Sequence, residues 1–89
     1  MEPAKLYSIR YTESAAQFLR ESDARLRVRI STKIAALAQN PFPHGNKKLK
    51  GAEHAFRIGM GDYRVVYDVL EDDIVVLVLR IGHRKDVYR

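Results

Sequence analysis

The side chains best suited to chemistry lie near the carboxyl end of the chain, in IGHRKDVYR, residues 81–89. This stretch combines a histidine, several basic residues and a tyrosine, and it directly follows the apolar run IVVLVLR. Cations beside a phenol can bind an anion and help to move a proton. The segment is therefore either a solvated charged tail or part of a site for an anionic ligand.

Two further arginines lie within strand-like segments earlier in the chain. Arg57 alternates with apolar residues in AFRIGM, and Arg64 does so in DYRVVYDV. Because successive side chains of a strand point to opposite faces, we expect both arginines on the face away from the core. Either one alone is an ordinary outward-facing residue. Their convergence with Arg84 and Tyr88, which follow the next strand, favours a site.

The elements that must position these residues predict an α+β protein. KLYSIRY alternates like a short strand, and two helices follow, the second capped by Ser22 or Asp23 and ended by Asn40-Pro41. After a turn-rich loop come three strand segments, AFRIGM, DYRVVYDV and IVVLVLRIG, the last two joined by an EDD turn. We predict one domain, residues 1–89, with an N-terminal strand and a helical hairpin packed on one face of a curved antiparallel β-sheet.

Side-chain periodicity also predicts the core of this domain. Apolar positions recur every three or four residues in the second helix and every second residue in the strands. The predicted core residues are Leu19, Leu26, Ile30, Ile34, Leu37, Phe56, Ile58, Val65, Tyr67 and either Leu77 or Val78.

Composition restricts the classes of function. The chain has 89 residues, a net charge of +5 and a pI near 9.7, which favours a polyanionic partner. It contains no cysteine, so thiolate chemistry is excluded. His44 and His54 lack a carboxylate partner at ligand spacing, and we expect no metal and no cofactor. No secretory signal or membrane-spanning run is recognisable, so we expect a cytoplasmic protein without a membrane partner.

The order of motifs resembles a known family. The chain resembles the RelE/ParE toxin superfamily, specifically its RelE-like mRNA interferase branch. The shared order is LKG, an aromatic–basic strand, GDYRVVY, an apolar strand and IGHRKDVY. The resemblance covers essentially the whole chain. It implies a toxin of a type II toxin–antitoxin pair that cuts messenger RNA, typically in the ribosomal A site, without a metal ion. It also implies a cognate RelB-like antitoxin as partner.

The resemblance further implies roles for individual residues. Arg57, Arg64, Arg84 and Tyr88 match the family's catalytic positions. RNA carries its own nucleophile, the 2′-hydroxyl, and arginine suits the stabilisation of the charge that develops on phosphate. Tyr88 would act as the general base or orient the hydroxyl, although an isolated tyrosine has a pKa of roughly 10. His83 is the rival base, and it is otherwise a strand-end histidine bonded to backbone.

One position departs from the family pattern. The family often has a second basic residue two positions after the one that Arg57 matches, and this chain has Gly59 there. The missing charge can come from a loop lysine or from His83. The lysines either contact RNA phosphates or are simply solvated. The candidate RNA-binding residues are Lys47, Lys48, Lys50, His83 and Lys85.

Two other functions remain open at the level of sequence. A ParE-like toxin would have the same fold but would inhibit DNA gyrase without cutting nucleic acid. A degenerate toxin would retain only antitoxin binding. A gyrase inhibitor has no chemical need to keep Arg57, Arg64, Arg84 and Tyr88 together, so this set favours the ribonuclease.

Overall fold

A five-stranded sheet with two helices on one face forms the framework of the protein in its computed structural model, which describes residues 6–49 and 55–87. The strand order across the sheet is β1-β5-β4-β3-β2. The strands are β1 (Ser8–Tyr11), β2 (Lys47–Lys48), β3 (Ala55–Met60), β4 (Tyr63–Leu70) and β5 (Val75–His83), and the helices are α1 (Glu13–Glu21), α2 (Ala24–Ala35) and α3 (Arg84–Val87).

The pairing of the strands confirms the α+β class and adds one feature. Strands β2 to β5 pair antiparallel, as expected for strands joined by short connections. Strand β1 instead lies parallel to β5, with Ser8 opposite Val75. The chain between β1 and β5 contains the helical hairpin and strands β2 to β4, so it is long enough for the connection that parallel strands require. The sheet is therefore mixed rather than wholly antiparallel.

Side-chain caps fix the start of both long helices. Thr12 accepts a hydrogen bond from the Ala15 backbone N–H at 3.2 Å, and Asp23 accepts one from the Leu26 N–H at 2.9 Å. These bonds satisfy backbone donors that have no partner within the helix. Helix α2 continues as a 3₁₀ turn over Ala36–Ala38, and it stops before Pro41, as the sequence predicted.

The core lies between the two long helices and the face of the sheet that bears Ile58 and Val65. Of the predicted core residues, Leu19, Leu26 and Phe56 are half-buried against it, and Val78 rather than Leu77 is buried. The remainder of the prediction is confirmed, since the following are buried: Ile30, Ile34, Leu37, Ile58, Val65 and Tyr67. Tyr67 is fully buried, and its hydroxyl donates to the Pro41 carbonyl at 2.8 Å.

A β-bulge interrupts strand β5 at Leu79. Val66 pairs with Arg80, but the next residue of β4, Tyr67, pairs with Val78, so Leu79 is one extra residue. The Thr12 hydroxyl donates to the Leu79 carbonyl at 2.6 Å, which ties the start of α1 to the bulge. Val78 faces the core before the bulge, and Ile81 faces it after the bulge. Arg80 therefore lies on the opposite face.

Two short elements were not predicted from the sequence. Strand β2 has two residues and lies within the predicted loop, and α3 is a single turn directly after β5. Neither is long enough to show a hydrophobic period. Within residues 6–49 and 55–87, no helix has the length and apolar character needed to cross a membrane.

Candidate active site

A row of basic side chains crosses the sheet on the face away from the helices. In this row Lys47 of β2 is paired with Arg57 of β3. Arg57 is paired on its other side with Val66 of β4, and Val66 is paired with Arg80 of β5. Directly opposed residues share a face of the sheet. Val66 is only 6% exposed, although the long helices α1 and α2 pack on the opposite face. This burial is expected beneath the aliphatic stems of the two flanking arginines.

Arg64 lies in the adjacent row, between two glycines. Gly59 of β3 and Gly82 of β5 are its cross-strand partners. The guanidinium Nη1 donates to two backbone carbonyls, that of Gly61 at 2.9 Å and that of Tyr63 at 2.8 Å. These bonds use the two hydrogens of Nη1 and leave the Nε and Nη2 hydrogens for another acceptor.

The turn between β3 and β4 supplies one of these carbonyls and also contacts the first residue of α3. Gly61 has φ +61°, which a two-residue hairpin loop requires at its first position. At the next residue, Asp62, the backbone carbonyl accepts from the Arg84 N–H at 2.7 Å. The Arg84 Nε also lies 4.0 Å from Asp62 Oδ1. One turn therefore contacts both Arg64 and Arg84.

A cavity of about 310 Å³ lies over this part of the sheet. It is lined by Gly45, Lys47, Arg57, Gly59 and Arg64. Three of these residues are cations, and two are glycines that leave room above the backbone. Guanidinium and ammonium groups bind phosphate oxygens through charge-assisted hydrogen bonds. The cavity is therefore suited to an anionic ligand.

A second cavity, of about 410 Å³, has a different character. It is lined by aromatic and aliphatic residues of β3, β4 and the loop after α2, together with the acidic turn 71–73. Glu71, Asp72 and Asp73 would repel a polyanion. This cavity is larger than the first, but a polyanion is better suited to the basic one.

Seven of the nine predicted site residues divide into three groups. Arg57, Arg64 and Lys47 line the basic cavity. Arg84 and Lys85 are exposed on α3, and Arg84 follows two residues after Gly82, the partner of Arg64. Tyr88 and Lys50 lie outside the described residues, so their predicted roles stay predictions.

Two predicted residues lie on the other face of the sheet. Lys48 pairs with Phe56, and His83 pairs with Tyr63, whose ring contacts Phe18 of α1. The His83 ring packs edge-on against Tyr63, with 5.9 Å between ring centroids, and its Nδ1 accepts from the Lys85 backbone N–H at 3.3 Å. The structure does not bring Lys48 or His83 together with the arginines. His83 has the backbone hydrogen bond expected of a strand-end histidine.

Arg80 is a basic residue of this face that sequence reasoning missed. If the alternation of Val76 and Val78 continued regularly, Arg80 would point toward the core. The bulge at Leu79 places it beside Val66 on the arginine face instead. The charge itself was the only available signal, because an arginine directed into a small apolar core would be unfavourable.

The described residues also bear on metal binding. Within residues 6–49 and 55–87, no group of three or more His, Asp or Glu side chains is arranged to hold a metal ion. Metal independence remains a prediction, based on the cationic side chains that line the basic cavity.

Comparison with known proteins identifies relatives along most of the chain. Residues 9–88 match the family described as the ParE toxin of type II toxin-antitoxin system, parDE. The putative toxin RelE1 of Methanocaldococcus jannaschii is 36% identical over 59 residues, which cover 63% of this chain and 66% of that protein, just under two thirds of its length. The mRNA interferase toxin RelE of Escherichia coli is 27% identical over 81 residues, which cover 89% of this chain and 84% of that protein.

A solved structure extends the likeness to the fold. The toxin-like chain of the intact Escherichia coli RelBE toxin-antitoxin complex superimposes with a TM-score of 0.77 at 26% sequence identity. The match covers 86% of this chain and 95% of that chain. The same arrangement of helices and sheet therefore occurs in a chain that was crystallised with an antitoxin.

Proposed function

The chain belongs to the ParE toxin family of type II toxin–antitoxin systems, and we propose that it is a toxin that cleaves messenger RNA without a metal ion. The observation that carries this proposal is the basic cavity lined by Lys47, Arg57 and Arg64. A relative named as an mRNA interferase toxin, 27% identical over 84% of its length, supports the same activity. We propose that residues 1–89 form one toxin domain, that it acts in the cytoplasm, and that cleavage occurs in the ribosomal A site.

The proposed reaction uses the RNA's own 2′-hydroxyl as the nucleophile. Its oxygen bonds to the adjacent phosphorus while a base takes its proton, and the bond from phosphorus to the 5′-oxygen breaks. The leaving 5′-oxygen takes up a proton. The products are a 2′,3′-cyclic phosphate and a 5′-hydroxyl, and no water or metal enters this step.

The arginines stabilise the charge that grows on the phosphate during this step. Arg64 is held by two backbone carbonyls before the substrate binds, and a preorganised donor loses little free energy to reorientation. Arg57 lies one strand away and lines the same cavity. Arg84, which is bonded to the turn between β3 and β4, would add a third arginine. Tyr88, by resemblance, handles the proton of the 2′-hydroxyl.

Translation in a cell-free mixture, with primer extension on the messenger, tests this proposal. Parental protein should produce discrete cuts in a translated messenger. Arg57→Ala and Arg64→Ala should each slow cleavage by about 10²–10³-fold, the loss typical of one preorganised charge-stabilising donor. Arg29→Ala is the matched control, because Arg29 is an exposed arginine on α2, and it should cut at the parental rate.

The C-terminal segment can be tested in the same assay. Arg84→Ala should slow cleavage by about 10²–10³-fold. Tyr88→Phe keeps the ring and removes the oxygen, so a large loss identifies proton transfer or hydroxyl orientation. If both variants fold and cut at the parental rate, the segment is a charged tail and the assignment of these residues is wrong.

A second candidate function is inhibition of DNA gyrase, because the matching family is named for ParE. The two functions differ in their products. An intact messenger together with trapped gyrase–DNA breaks would replace the ribonuclease proposal with this one. An intact messenger without such breaks, in a protein that still binds an antitoxin, would identify a degenerate toxin.

We also propose a cognate, RelB-like antitoxin as the protein partner. The similar chain of the Escherichia coli complex was crystallised with its antitoxin. An antitoxin that covered the basic cavity would compete with RNA for Lys47, Arg57 and Arg64. Added antitoxin should therefore stop cleavage in the assay above and displace bound RNA.

A further inference from the structure

The resemblance to the RelE-like family implies a second basic residue at the position of Gly59, and the structure shows what fills the space instead. A Cβ atom built on Gly59 would lie 2.8 Å from Nη1, 3.0 Å from Cζ and 3.3 Å from Nε of Arg64. All three atoms belong to the guanidinium group. The Arg64 side chain therefore lies across strand β3, over the backbone of Gly59.

This placement is tied to the hydrogen bonds of Arg64. Nη1 reaches the Gly61 carbonyl in the adjoining turn as well as the Tyr63 carbonyl. Reaching both requires the side chain to fold back over Gly59 rather than extend into solvent. The edge formed by Nε and Nη2 is then left as a fork suited to two phosphate oxygens.

We propose that Gly59 is a positioning residue, whose missing side chain lets the Arg64 guanidinium lie across β3 in the orientation that binds the scissile phosphate. The inference rests on the proposed ribonuclease function. Glycine at this position then contributes to the orientation of Arg64 rather than to the charge of the cavity. Restoring a basic residue at this position should consequently impair the enzyme.

A substitution at Gly59 should affect the cleavage rate and the stability of the fold differently. A new side chain at Gly59 meets the far end of a flexible arginine, which can swing away at little cost to folding. Gly59 is exposed, and its φ is not in the left-handed region, so alanine can adopt its backbone conformation. Alanine also weakens a strand less than glycine does. Gly59→Ala should therefore keep or raise the Tm, while the displaced Arg64 slows cleavage.

The experiment is a double-mutant cycle on the full chain. Gly59→Ala and Gly59→Lys should each lower the maximal single-turnover rate of cleavage by about 10-fold to 100-fold, the loss typical of a misplaced catalytic group. In an Arg64→Ala background, Gly59→Ala should have no further effect, because the group it displaces is gone. Parental rates for both single variants would overturn the proposal, as would an equal loss from Gly59→Ala in the two backgrounds.

An NMR measurement keeps this inference separate from the proposed function. The Arg64 guanidinium nitrogens should give distinct, slowly exchanging Nη signals in the parental protein, because two carbonyls hold Nη1. Gly59→Ala should average these signals. If the parental protein does not cleave RNA, the proposed function fails. The NMR measurement then tests by itself whether Gly59 positions the Arg64 guanidinium. Identical guanidinium signals in both proteins would overturn the positioning role.

Discussion

Lys47 and Lys48 offer a test of the RNA-binding face, because they are adjacent in β2 and lie on opposite faces of the sheet. Lys47 is paired with Arg57 on the arginine face, and Lys48 is paired with Phe56 on the helix side. Both are exposed, and replacement of either by alanine removes one positive charge from the same strand. We expect Lys47→Ala to weaken RNA binding and Lys48→Ala to have little effect.

The expected magnitude follows from counterion release. Each phosphate neutralised on a single strand contributes about 0.7 to the slope of log affinity against log salt. If Lys47 contacts one phosphate, Lys47→Ala should make this slope shallower by about 0.7. Between about 50 and 200 mM salt, this corresponds to roughly a 2.6-fold smaller loss of affinity. Lys48 acts only at long range, through solvent in which charges are largely screened beyond about 10 Å.

The assay is fluorescence anisotropy with a single-stranded RNA oligonucleotide whose 2′-hydroxyl is replaced by hydrogen at the cleavage position. The substitution removes the nucleophile, so binding is measured without turnover. Circular dichroism of both variants provides the control for folding. Equal slopes for the two variants, or a larger change for Lys48→Ala, would refute the assignment of the binding face.

Three other perturbations have definite expected outcomes. Ile34 is fully buried in α2, so Ile34→Ala should lower the free energy of unfolding by about 2–5 kcal/mol and the Tm by at least about 8 °C. The control is Val28→Ala, at a position 63% exposed on the same helix, which should change the Tm little. Equal Tm shifts in the two variants would contradict the assigned core face of α2. Burial raises the pKa of Tyr67, opposed in part by a hydrogen bond with Asn46. As the pH rises above roughly 10, Tyr67 therefore loses its hydroxyl proton more readily in the unfolded chain than in the folded one. The free energy of unfolding should fall in this pH range. Tyr67→Phe should cost about 1–3 kcal/mol at neutral pH, because the Pro41 carbonyl loses its donor, and should flatten the alkaline decline in denaturant titrations; an unchanged alkaline decline would contradict this. Selective chelation of transition metals at fixed magnesium should leave cleavage unchanged, and activity that disappears and returns with zinc or manganese would overturn the arginine mechanism.

The alternation of side chains was sufficient to predict much of this site. It placed Arg57 and Arg64 on one face, because β3 and β4 pair without a break and their core-facing residues are unambiguous. It could not separate Lys47 from Lys48, since a strand of two residues has no period to read.

The remaining differences arise from the backbone and from atomic contacts. Arg80 was missed because a bulge changes the register within an otherwise continuous apolar run. The close contact between Gly59 and the Arg64 guanidinium depends on the conformation of the long Arg64 side chain. A residue pattern records charge and spacing, but it does not contain the direction that a flexible arginine takes.

The bulge at Leu79 makes strand β5 unevenly tolerant of changes in length. Removing Leu79 would leave a regular strand in which every remaining side chain keeps its present face, at the cost of the carbonyl that accepts from Thr12. Removing Ile81 instead would turn Gly82 toward the helices and His83 toward the arginine face. Substitution of Leu79 should be tolerated, because Thr12 bonds to a backbone atom that every residue has. Related chains can thus be expected to vary in length at this one point of the strand and to keep its length elsewhere.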